Sequence, residues 1–241
     1  MPVSGNPAHP DLIRSWEETE LHRSLFESEI RRMPLPVMDA FRADGSIAPA
    51  GFEIAEEHLA GGGNARDLEE AFPRLYPATG SAVLRASITA RPQVRGKRVA
   101  VLFSGGPAAG GHNVIVGLKK ALGAENTLLG VVQGPKGLLA GNLFEVKEED
   151  LGRIVNTGGF DFLGSDRTKI KKHEQFKQVK AVCQEHRLDA LVVVGGDDSN
   201  TNAAFLAEYF VAKGSEVKVI VCPKTIDGDL KNQYIKLSFG F

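Results

Sequence analysis

The last part of the chain contains a short segment whose residue types suit phosphoryl transfer. Residues 223–229 (PKTIDGD) place a cation, a hydroxyl group and two carboxylates within six residues. Transfer of a phosphoryl group needs a base for the acceptor hydroxyl, carboxylates for a metal ion and positive charge beside the phosphates. A turn rich in Asp and Gly would account for Asp227 and Asp229, but it would not need Lys224 and Thr225 as well. These four residues are therefore candidates for a catalytic loop.

A second segment, residues 195–200 (GGDDSN), sets two carboxylates beside a pair of glycines. Asp197 and Asp198 have an alternative interpretation as residues that cap the following helix. The glycines, however, leave space for phosphate oxygens, and a carboxylate beside them can hold a Mg²⁺ ion that bridges those oxygens. One of these carboxylates is therefore a candidate metal ligand, and Gly196, Asp198 and Ser199 are candidate residues of a phosphate-binding site.

Residues 104–113 (SGGPAAGGHN) form a third, glycine-rich segment between a predicted strand and a predicted helix. Small residues such as Gly105 and Gly106 let backbone N–H groups approach an anion, and a helix N-terminus favours negative charge. The segment matches neither the dinucleotide-binding fingerprint nor the usual NTPase phosphate loop. Alone it is equally typical of a tight turn, and His112 within it is interpreted as a capping or surface residue.

Strands and helices alternate from Lys97 onward, and this order must position the three segments. Apolar runs predict strands at residues 98–103, 127–132, 190–194 and 217–222, and amphipathic stretches predict helices at residues 114–122, 148–155, 174–187 and 201–213. Apolar strands without alternation indicate an α/β fold with a parallel sheet covered by helices on both faces. Ligands bind beyond the carboxyl ends of such strands, so the three segments should meet at one edge of the sheet.

Residues 1–95 differ from this pattern and are predicted to form a mainly helical N-terminal extension. Apolar residues recur at near-helical spacing from Trp16 until Pro34 and Pro36 end the helix, and residues 65–72 predict a second, short helix. No residue pattern here suggests chemistry, so packing or oligomerisation is the expected role. Residues 96–241 are predicted to form the second domain.

Composition and charge exclude several classes of protein. The formal net charge is −1, so the chain lacks an overall positive field that would bind nucleic acid or an anionic membrane surface. Cys183 and Cys222 are too few for a disulfide framework, which favours a reducing cytoplasm. No apolar run approaches the roughly 20 residues of a membrane span, and the N-terminus has no secretory leader. The basic run of Lys169, Lys171 and Lys172 is typical of a solvated face.

Four motifs carry a family resemblance when they are taken in order: LFSGGPAAGGHN, FLGSDRTKI, GGDDSN and PKTIDGDLKN. Together they resemble the phosphofructokinase family, and specifically its long pyrophosphate-dependent members, over about residues 97–241. The resemblance implies two similar domains, with the phosphoryl donor bound mainly to the first and fructose 6-phosphate mainly to the second. This chain would be the donor-binding half, truncated before the sugar-phosphate domain, and it is expected to be inactive or nearly so alone.

The resemblance also implies a reaction and its donor-side residues. The reaction is the reversible, glycolytic transfer of a phosphoryl group from pyrophosphate to the 1-hydroxyl of fructose 6-phosphate, with Mg²⁺ as cofactor. By the same resemblance, Gly105, Gly106 and Arg167 contact the donor, and Asp197 serves the magnesium ion. Full-length members generally assemble as oligomers, so a homo-oligomer is expected.

In the candidate catalytic loop, the resemblance makes Asp227 the base for the sugar hydroxyl, Thr225 a substrate contact and Asp229 a supporting carboxylate. Donor choice would depend on Asp198 and Lys224, since ATP-dependent members generally have Gly at both positions. Asp198 would fill the space that the α-phosphate of a nucleotide needs, and Lys224 would bind the leaving phosphate. Both residues favour pyrophosphate as the donor.

Two alternatives remain open. An ATP-dependent kinase with a Gly-Gly-Asp loop, such as a lipid or NAD kinase, would explain residues 195–197 but would leave PKTIDGD and FLGSDR unexplained. A non-catalytic regulatory or binding subunit of the same family would agree with the truncation. Such a subunit, however, would have no reason to keep Asp197, Asp198, Lys224 and Asp227 together.

Overall fold

The computed structural model describes residues 25–34, 39–43, 46–47, 50–59, 64–77, 81–87 and 94–225. Asp227 and Asp229 of the candidate catalytic loop lie outside the described residues. The prediction that the segment containing them meets the other two at one edge of the sheet can therefore be followed only as far as Thr225.

Helices and strands alternate along most of the described chain. The strands are β1 (Arg42–Ala43), β2 (Ser46–Ile47), β3 (Gly51–Leu59), β4 (Ser81–Ser87), β5 (Arg98–Ser104), β6 (Thr127–Val131), β7 (Leu143–Glu145), β8 (Ser165–Asp166), β9 (Ala190–Gly195) and β10 (Lys218–Pro223). The helices are α1 (Leu25–Arg32), α2 (Ala65–Ala71), α3 (Gly111–Leu122), α4 (Gly134–Ala140), α5 (Glu148–Ile154), α6 (His173–Glu185) and α7 (Asp197–Ala212). None of these described helices has both the length and the hydropathy that a membrane crossing requires.

The central sheet has the strand order β10-β9-β5-β6-β7, and β8 pairs with the end of β5. Strands β10, β9, β5 and β6 pair in parallel, as predicted. The short strand β8, which was not predicted, also pairs parallel with β5, whereas β7 pairs antiparallel with β6 at the sheet edge. The chain reverses before β7 because α4 is short and Val132 N donates to Asn142 O at 3.0 Å, which closes the connection into a compact loop. The sheet is therefore parallel except for one edge strand.

Helices cover both faces of this sheet. Alternate residues of β5 point to opposite sides, so that Leu102 packs with α6 and α7, and Phe103 packs with α3 and α5. Phe103 also stacks on Phe160, with ring centroids 4.2 Å apart. The expected doubly covered α/β architecture is confirmed. Cys183 lies in the first of these cores, where burial raises the pKa of its thiol to about 12, so it is an unreactive packing residue.

The N-terminal extension contains more strand than expected. Helices α1 and α2 agree with the prediction for the residues described, but β3 and β4 form an antiparallel pair that was not predicted. Over the described residues of the extension, strand residues thus outnumber α-helical ones, and the mainly helical character of residues 1–95 as a whole stays a prediction. The missed signal is a period of two, because Phe52 and Ile54 share one face of β3 and lie opposite Ala86 and Leu84 of β4.

Two contacts among the described residues join α1 and residues 74–75 of the extension to the sheet domain. Asn156 Nδ2 donates to Ile30 O at 2.8 Å and to Met33 O at 2.9 Å, which satisfies carbonyl groups at the end of α1. On the other contact surface, Glu208 of α7 accepts three hydrogen bonds from Arg74 and Leu75, at 2.9 to 3.2 Å. The second contact is with the helix that begins at the Gly-Gly-Asp-Asp segment.

Candidate functional site

A cavity of about 520 Å³ lies at the carboxyl ends of β5 and β9. Its walls come from the ends of β5, β9 and β10 and from the segment after β8, so that the described parts of the three predicted segments meet here. The predicted site residues that line it are Gly105, Gly106, Arg167, Gly196, Asp197, Asp198, Ser199 and Lys224. Thr225 is buried and is not among the lining residues.

The glycine turn after β5 is fixed by hydrogen bonds to β8. Gly105 adopts a φ of +86°, which L side chains rarely adopt, and its N–H donates to Asp166 O at 2.9 Å. Ser165 Oγ donates to Gly105 O at 2.8 Å. A β-carbon placed on Gly106 would lie 3.7 Å from Arg167 Nη2, so the guanidinium group lies against the turn. A phosphate at this turn would meet both the glycine backbone and the arginine.

The two glycines at the end of β9, Gly195 and Gly196, have different structural roles. A β-carbon on Gly195 would lie 2.5 Å from Ser199 Cβ and 2.9 Å from Ser104 O, so only glycine fits where α7 approaches β5. Ser199 Oγ donates to Ser104 Oγ at 2.8 Å and holds this approach. Of the two glycines, Gly196 lines the cavity, whereas Gly195 makes room for the helix.

Asp166 organises the turn that carries Arg167. Its Oδ1 accepts from Thr168 N at 2.8 Å and from Lys136 N at 3.1 Å, and its Oδ2 accepts from Thr168 Oγ1 at 2.9 Å. The carboxylate thus replaces backbone partners that the turn lacks. This positioning role of Asp166 was not predicted from the sequence.

Lys169 is the clearest cavity residue that the sequence did not identify. It was interpreted as part of a solvated face, yet it lines the cavity, and its Nζ donates to Asp198 Oδ2 at 2.8 Å. Their side chains are 45% and 81% exposed, so the pair lies at the mouth rather than in the interior. The hydrogen bond and the charge of Lys169 hold the pKa of the Asp198 carboxyl below its ordinary value. The available signal was its position two residues after Arg167 in FLGSDRTK.

Asp197 and Lys224 lie on the same cavity without an ion pair. The Asp197 carboxylate is exposed at the first turn of α7, and within the described part of the chain it has no hydrogen-bond or ion-pair partner. Lys224 N donates to Gly195 O at 3.0 Å, and a β-carbon on Gly196 would lie 3.9 Å from Lys224 Nζ. The exposed carboxylate of Asp197 and the ammonium group of Lys224 therefore both line the cavity, and the ammonium group lies close to Gly196.

The described residues contain no group of three or more His, Cys, Asp or Glu side chains that could enclose a metal ion. Magnesium in phosphate sites is commonly held by one or two carboxylates together with phosphate oxygens and water. The open carboxylate of Asp197 fits that kind of site, since it offers hard oxygen atoms on the cavity wall.

His112 has a structural role. Only 1% of it is exposed, its Nε2 accepts from Phe162 N at 3.1 Å, and its Nδ1 lies 3.2 Å from Thr157 Oγ1. The interpretation as a capping or surface residue is therefore wrong, because the ring links the start of α3 to the loop before β8. Only Ser104, Gly105 and Gly106 of the first predicted segment line the cavity.

Comparison with known proteins agrees with this geometry. The family model described as Phosphofructokinase matches residues 98–241. A pyrophosphate--fructose 6-phosphate 1-phosphotransferase of Treponema pallidum is 54% identical over 153 residues, which cover 62% of this chain and 27% of the relative. Subunit beta 1 of the Arabidopsis thaliana enzyme of that name is 41% identical over 204 residues, which cover 81% of this chain and 35% of the relative.

A solved structure shares the fold. The crystal structure of Pichia pastoris phosphofructokinase in the T-state aligns with 67% of this chain and 18% of its own, with a TM-score of 0.52 and 21% identity. The chain thus spans about a third or less of the length of the relatives that it matches. Because the family model covers more than half of the sequence, this chain belongs to the phosphofructokinase family.

Proposed function

We propose that the chain supplies the donor-binding half of an enzyme that transfers a phosphoryl group from pyrophosphate to fructose 6-phosphate. The observation that carries this proposal is the single cavity on which Gly105, Arg167, Asp197, Asp198 and Lys224 meet. The names of the relatives from Treponema pallidum and Arabidopsis thaliana, which include pyrophosphate and fructose 6-phosphate, support it. The product would be fructose 1,6-bisphosphate, and the reaction would be reversible.

Pyrophosphate would be bound by fixed positive charge and by backbone N–H groups. Arg167 lies against the Gly105-Gly106 turn, and Lys224 lies beside Gly196, so cations stand at two separate places on the cavity wall. The first turn of α7 adds the positive end of a helix dipole. Positioning and charge stabilisation of this kind supply most of the catalysis in phosphoryl transfer.

Asp197 is the residue that we propose to hold magnesium. When bound, the ion would neutralise charge that develops on the phosphate oxygens. The protein contributes an exposed carboxylate, which has no partner among the described residues, at the start of a helix that Ser199 and Gly195 fix against β5. The backbone of Asp197 therefore has a defined position before any ligand binds.

The acceptor side of the reaction would depend on the candidate catalytic loop and on residues beyond this chain. We propose Asp227 as the base for the sugar 1-hydroxyl, Thr225 as a substrate contact and Asp229 as a supporting carboxylate. The resemblance places most fructose 6-phosphate contacts in the second half of the family fold. We therefore expect this chain alone to bind the donor and to turn over little.

Pyrophosphate rather than ATP is the proposed donor because of Asp198 and Lys224. Asp198 lies at the mouth of the cavity, where it would obstruct the longer phosphate chain of a nucleotide. Lys224 would bind the leaving phosphate, replacing charge stabilisation that a nucleotide would obtain along its length. The two residues line the same cavity, and each would favour pyrophosphate by a different effect.

Calorimetric titration of the chain tests donor binding. Magnesium pyrophosphate should bind, magnesium ATP should bind more weakly, and fructose 6-phosphate should hardly bind. Lys224→Met should weaken pyrophosphate binding about tenfold, the effect of losing one charge-assisted hydrogen bond. Lys177→Met is the matched control, since Lys177 pairs with Glu174 on the surface of α6 and lines no part of the cavity. Tighter binding of ATP than of pyrophosphate would contradict the proposal.

Catalysis is tested by joining residues 1–241 to the C-terminal remainder of the Treponema pallidum relative. The chimaera should transfer a phosphoryl group from pyrophosphate and use ATP poorly. Asp198→Gly should improve ATP use and lower pyrophosphate use, whereas Asp227→Ser should abolish both reactions. A chimaera that binds both substrates but shows no turnover would favour the alternative of a non-catalytic subunit.

Assembly and cellular location are proposed in the same way. The Arabidopsis thaliana relative is named as a subunit, which supports an oligomeric whole protein, and we propose a homo-oligomer. The free thiols of Cys183 and Cys222 support a reducing, cytoplasmic location.

A further inference from the structure

We propose that Lys169 is a donor-phosphate contact and that Asp198 is its positioning residue. The inference rests on the proposed function, and it concerns a lysine to which neither the family resemblance nor the sequence pattern gave a role. The observations that carry it are the 2.8 Å hydrogen bond from Lys169 Nζ to Asp198 Oδ2 and the place of both residues on the wall of the phosphate cavity.

The backbone around Lys169 is held on both sides. Before it, Thr168 donates two hydrogen bonds to Asp166. After it, Ile170 exchanges two hydrogen bonds with the Asn202 side chain of α7, at 2.6 and 3.0 Å. The backbone at Lys169 is thus fixed, and the side chain of this lysine is the part of the residue that remains flexible.

The ion pair with Asp198 restricts that flexible part. A lysine side chain loses much rotamer freedom when it binds a ligand, and a partner that already holds the ammonium group reduces this loss. The ammonium group has three N–H donors, and Asp198 accepts from one of them. Within the described residues Lys169 has no second partner, so two donors remain for phosphate oxygens.

The charges on the cavity wall also support a phosphate-binding role for Lys169. The wall carries three cations, Arg167, Lys169 and Lys224, and two carboxylates, Asp197 and Asp198. Without Lys169, cations and carboxylates on the wall would balance, although pyrophosphate remains negative when it carries one magnesium ion. Lys169 therefore gives the wall its excess of positive charge.

This role makes Asp198 more than an obstruction to nucleotides. If Asp198 acted only by its bulk and charge, its removal would leave pyrophosphate binding unchanged or would tighten it, because a negative charge would be gone from beside an anion. If Asp198 holds Lys169, its removal releases the ammonium group and weakens pyrophosphate binding. The two mechanisms therefore predict opposite signs for the same substitution.

A double-mutant cycle on the full chain measures that sign, with magnesium pyrophosphate as the probe and calorimetry as the readout. Lys169→Met should weaken binding about tenfold, and Asp198→Ala should weaken it by a similar factor. In the Lys169→Met background, Asp198→Ala should no longer weaken binding and should restore part of it. Asp198→Glu, which keeps a carboxylate for the ammonium group, should recover most of the wild-type affinity.

The matched control is Lys177→Met. It removes an exposed ion pair of nearly the same length, 2.9 Å to Glu174, from outside the cavity, and it should leave pyrophosphate affinity unchanged. Wild-type affinity in Lys169→Met, tighter binding in Asp198→Ala, or simple additivity of the two substitutions would overturn the inference while leaving the proposed donor intact. Failure of the wild-type chain to bind pyrophosphate would instead refute the proposed function, and this inference with it.

Discussion

Gly195→Ala tests whether the close approach of α7 to β5 sets the geometry of the site. The new β-carbon would lie 2.5 Å from Ser199 Cβ, 2.7 Å from Ser199 Oγ and 2.9 Å from Ser104 O. Ordinary contacts begin at 3.4 Å, and Ser199 Cβ cannot rotate away because it is attached directly to the helix backbone. The first turn of α7 would therefore have to move by about 1 Å to restore ordinary contact distances.

The expected consequences are a loss of stability and a larger loss of binding. Overpacking of this kind usually costs about 1–3 kcal/mol, and each kcal/mol lowers Tm by about 2–4 °C in a chain of this size. Asp197 and Asp198 move with the first turn of α7. Displacement of binding groups by about 1 Å can reduce catalysis about a hundredfold, so we expect pyrophosphate affinity to fall at least tenfold.

Differential scanning calorimetry and pyrophosphate titration measure the two effects on the same sample. Gly117→Ala is the control, because a β-carbon there meets nothing within 4 Å. In the interior of α3, Ala is more favourable for helix formation than Gly by about 1 kcal/mol. Gly117→Ala should melt no lower than wild type and should bind pyrophosphate normally. An unchanged Tm together with unchanged affinity in Gly195→Ala would refute the contact argument.

Three further substitutions test contacts away from the cavity. Glu208→Ala should lower stability by about 2 kcal/mol, because it leaves backbone N–H groups and Arg74 without their acceptor, and hydrogen exchange of residues 74 and 75 should accelerate. His112→Phe should lower Tm by several degrees, because a buried backbone N–H loses the Nε2 that accepts it. Burial raises the pKa of Asp189, but the hydrogen bond from Lys97 and other interactions outweigh it and lower that pKa below the ordinary 3.8. The difference in free energy of unfolding between wild type and Asp189→Ala should therefore be fully present above the ordinary pKa and should disappear as pH falls through the lowered value. Thermal melts of both proteins across pH 2–6 would measure this difference.

Local sequence patterns were sufficient for the four longer strands of the sheet, β5, β6, β9 and β10, but not for the short strands β7 and β8. The apolar runs of β5, β9 and β10 predicted these strands within one or two residues. For β5 and β9 the run is uninterrupted because strands buried on both faces contain few polar residues. Once the strands are parallel, their carboxyl ends share an edge, so the meeting of Gly105, Asp197 and Lys224 follows from topology.

Contacts between segments distant in sequence were the part that could not be predicted. In the sequence, Lys169 is one of several lysines in a basic run. It lies beside Asp198 because residues 165–170 pack against α7. The burial of His112 depends in the same way on the loop that contains Phe162. The β3–β4 pair was missed because two alternating segments separated by a helix give a weak local signal.

The outer edge of β10 has a practical consequence for handling the protein. Within the described residues this strand pairs only with β9, and Ile220 and Val221 are 51% and 40% exposed. An open strand edge with exposed apolar side chains is a template on which a strand of another molecule can add. Precipitation of concentrated samples should therefore begin at β10, and a lysine introduced at position 220 should raise the solubility limit without altering ligand affinity.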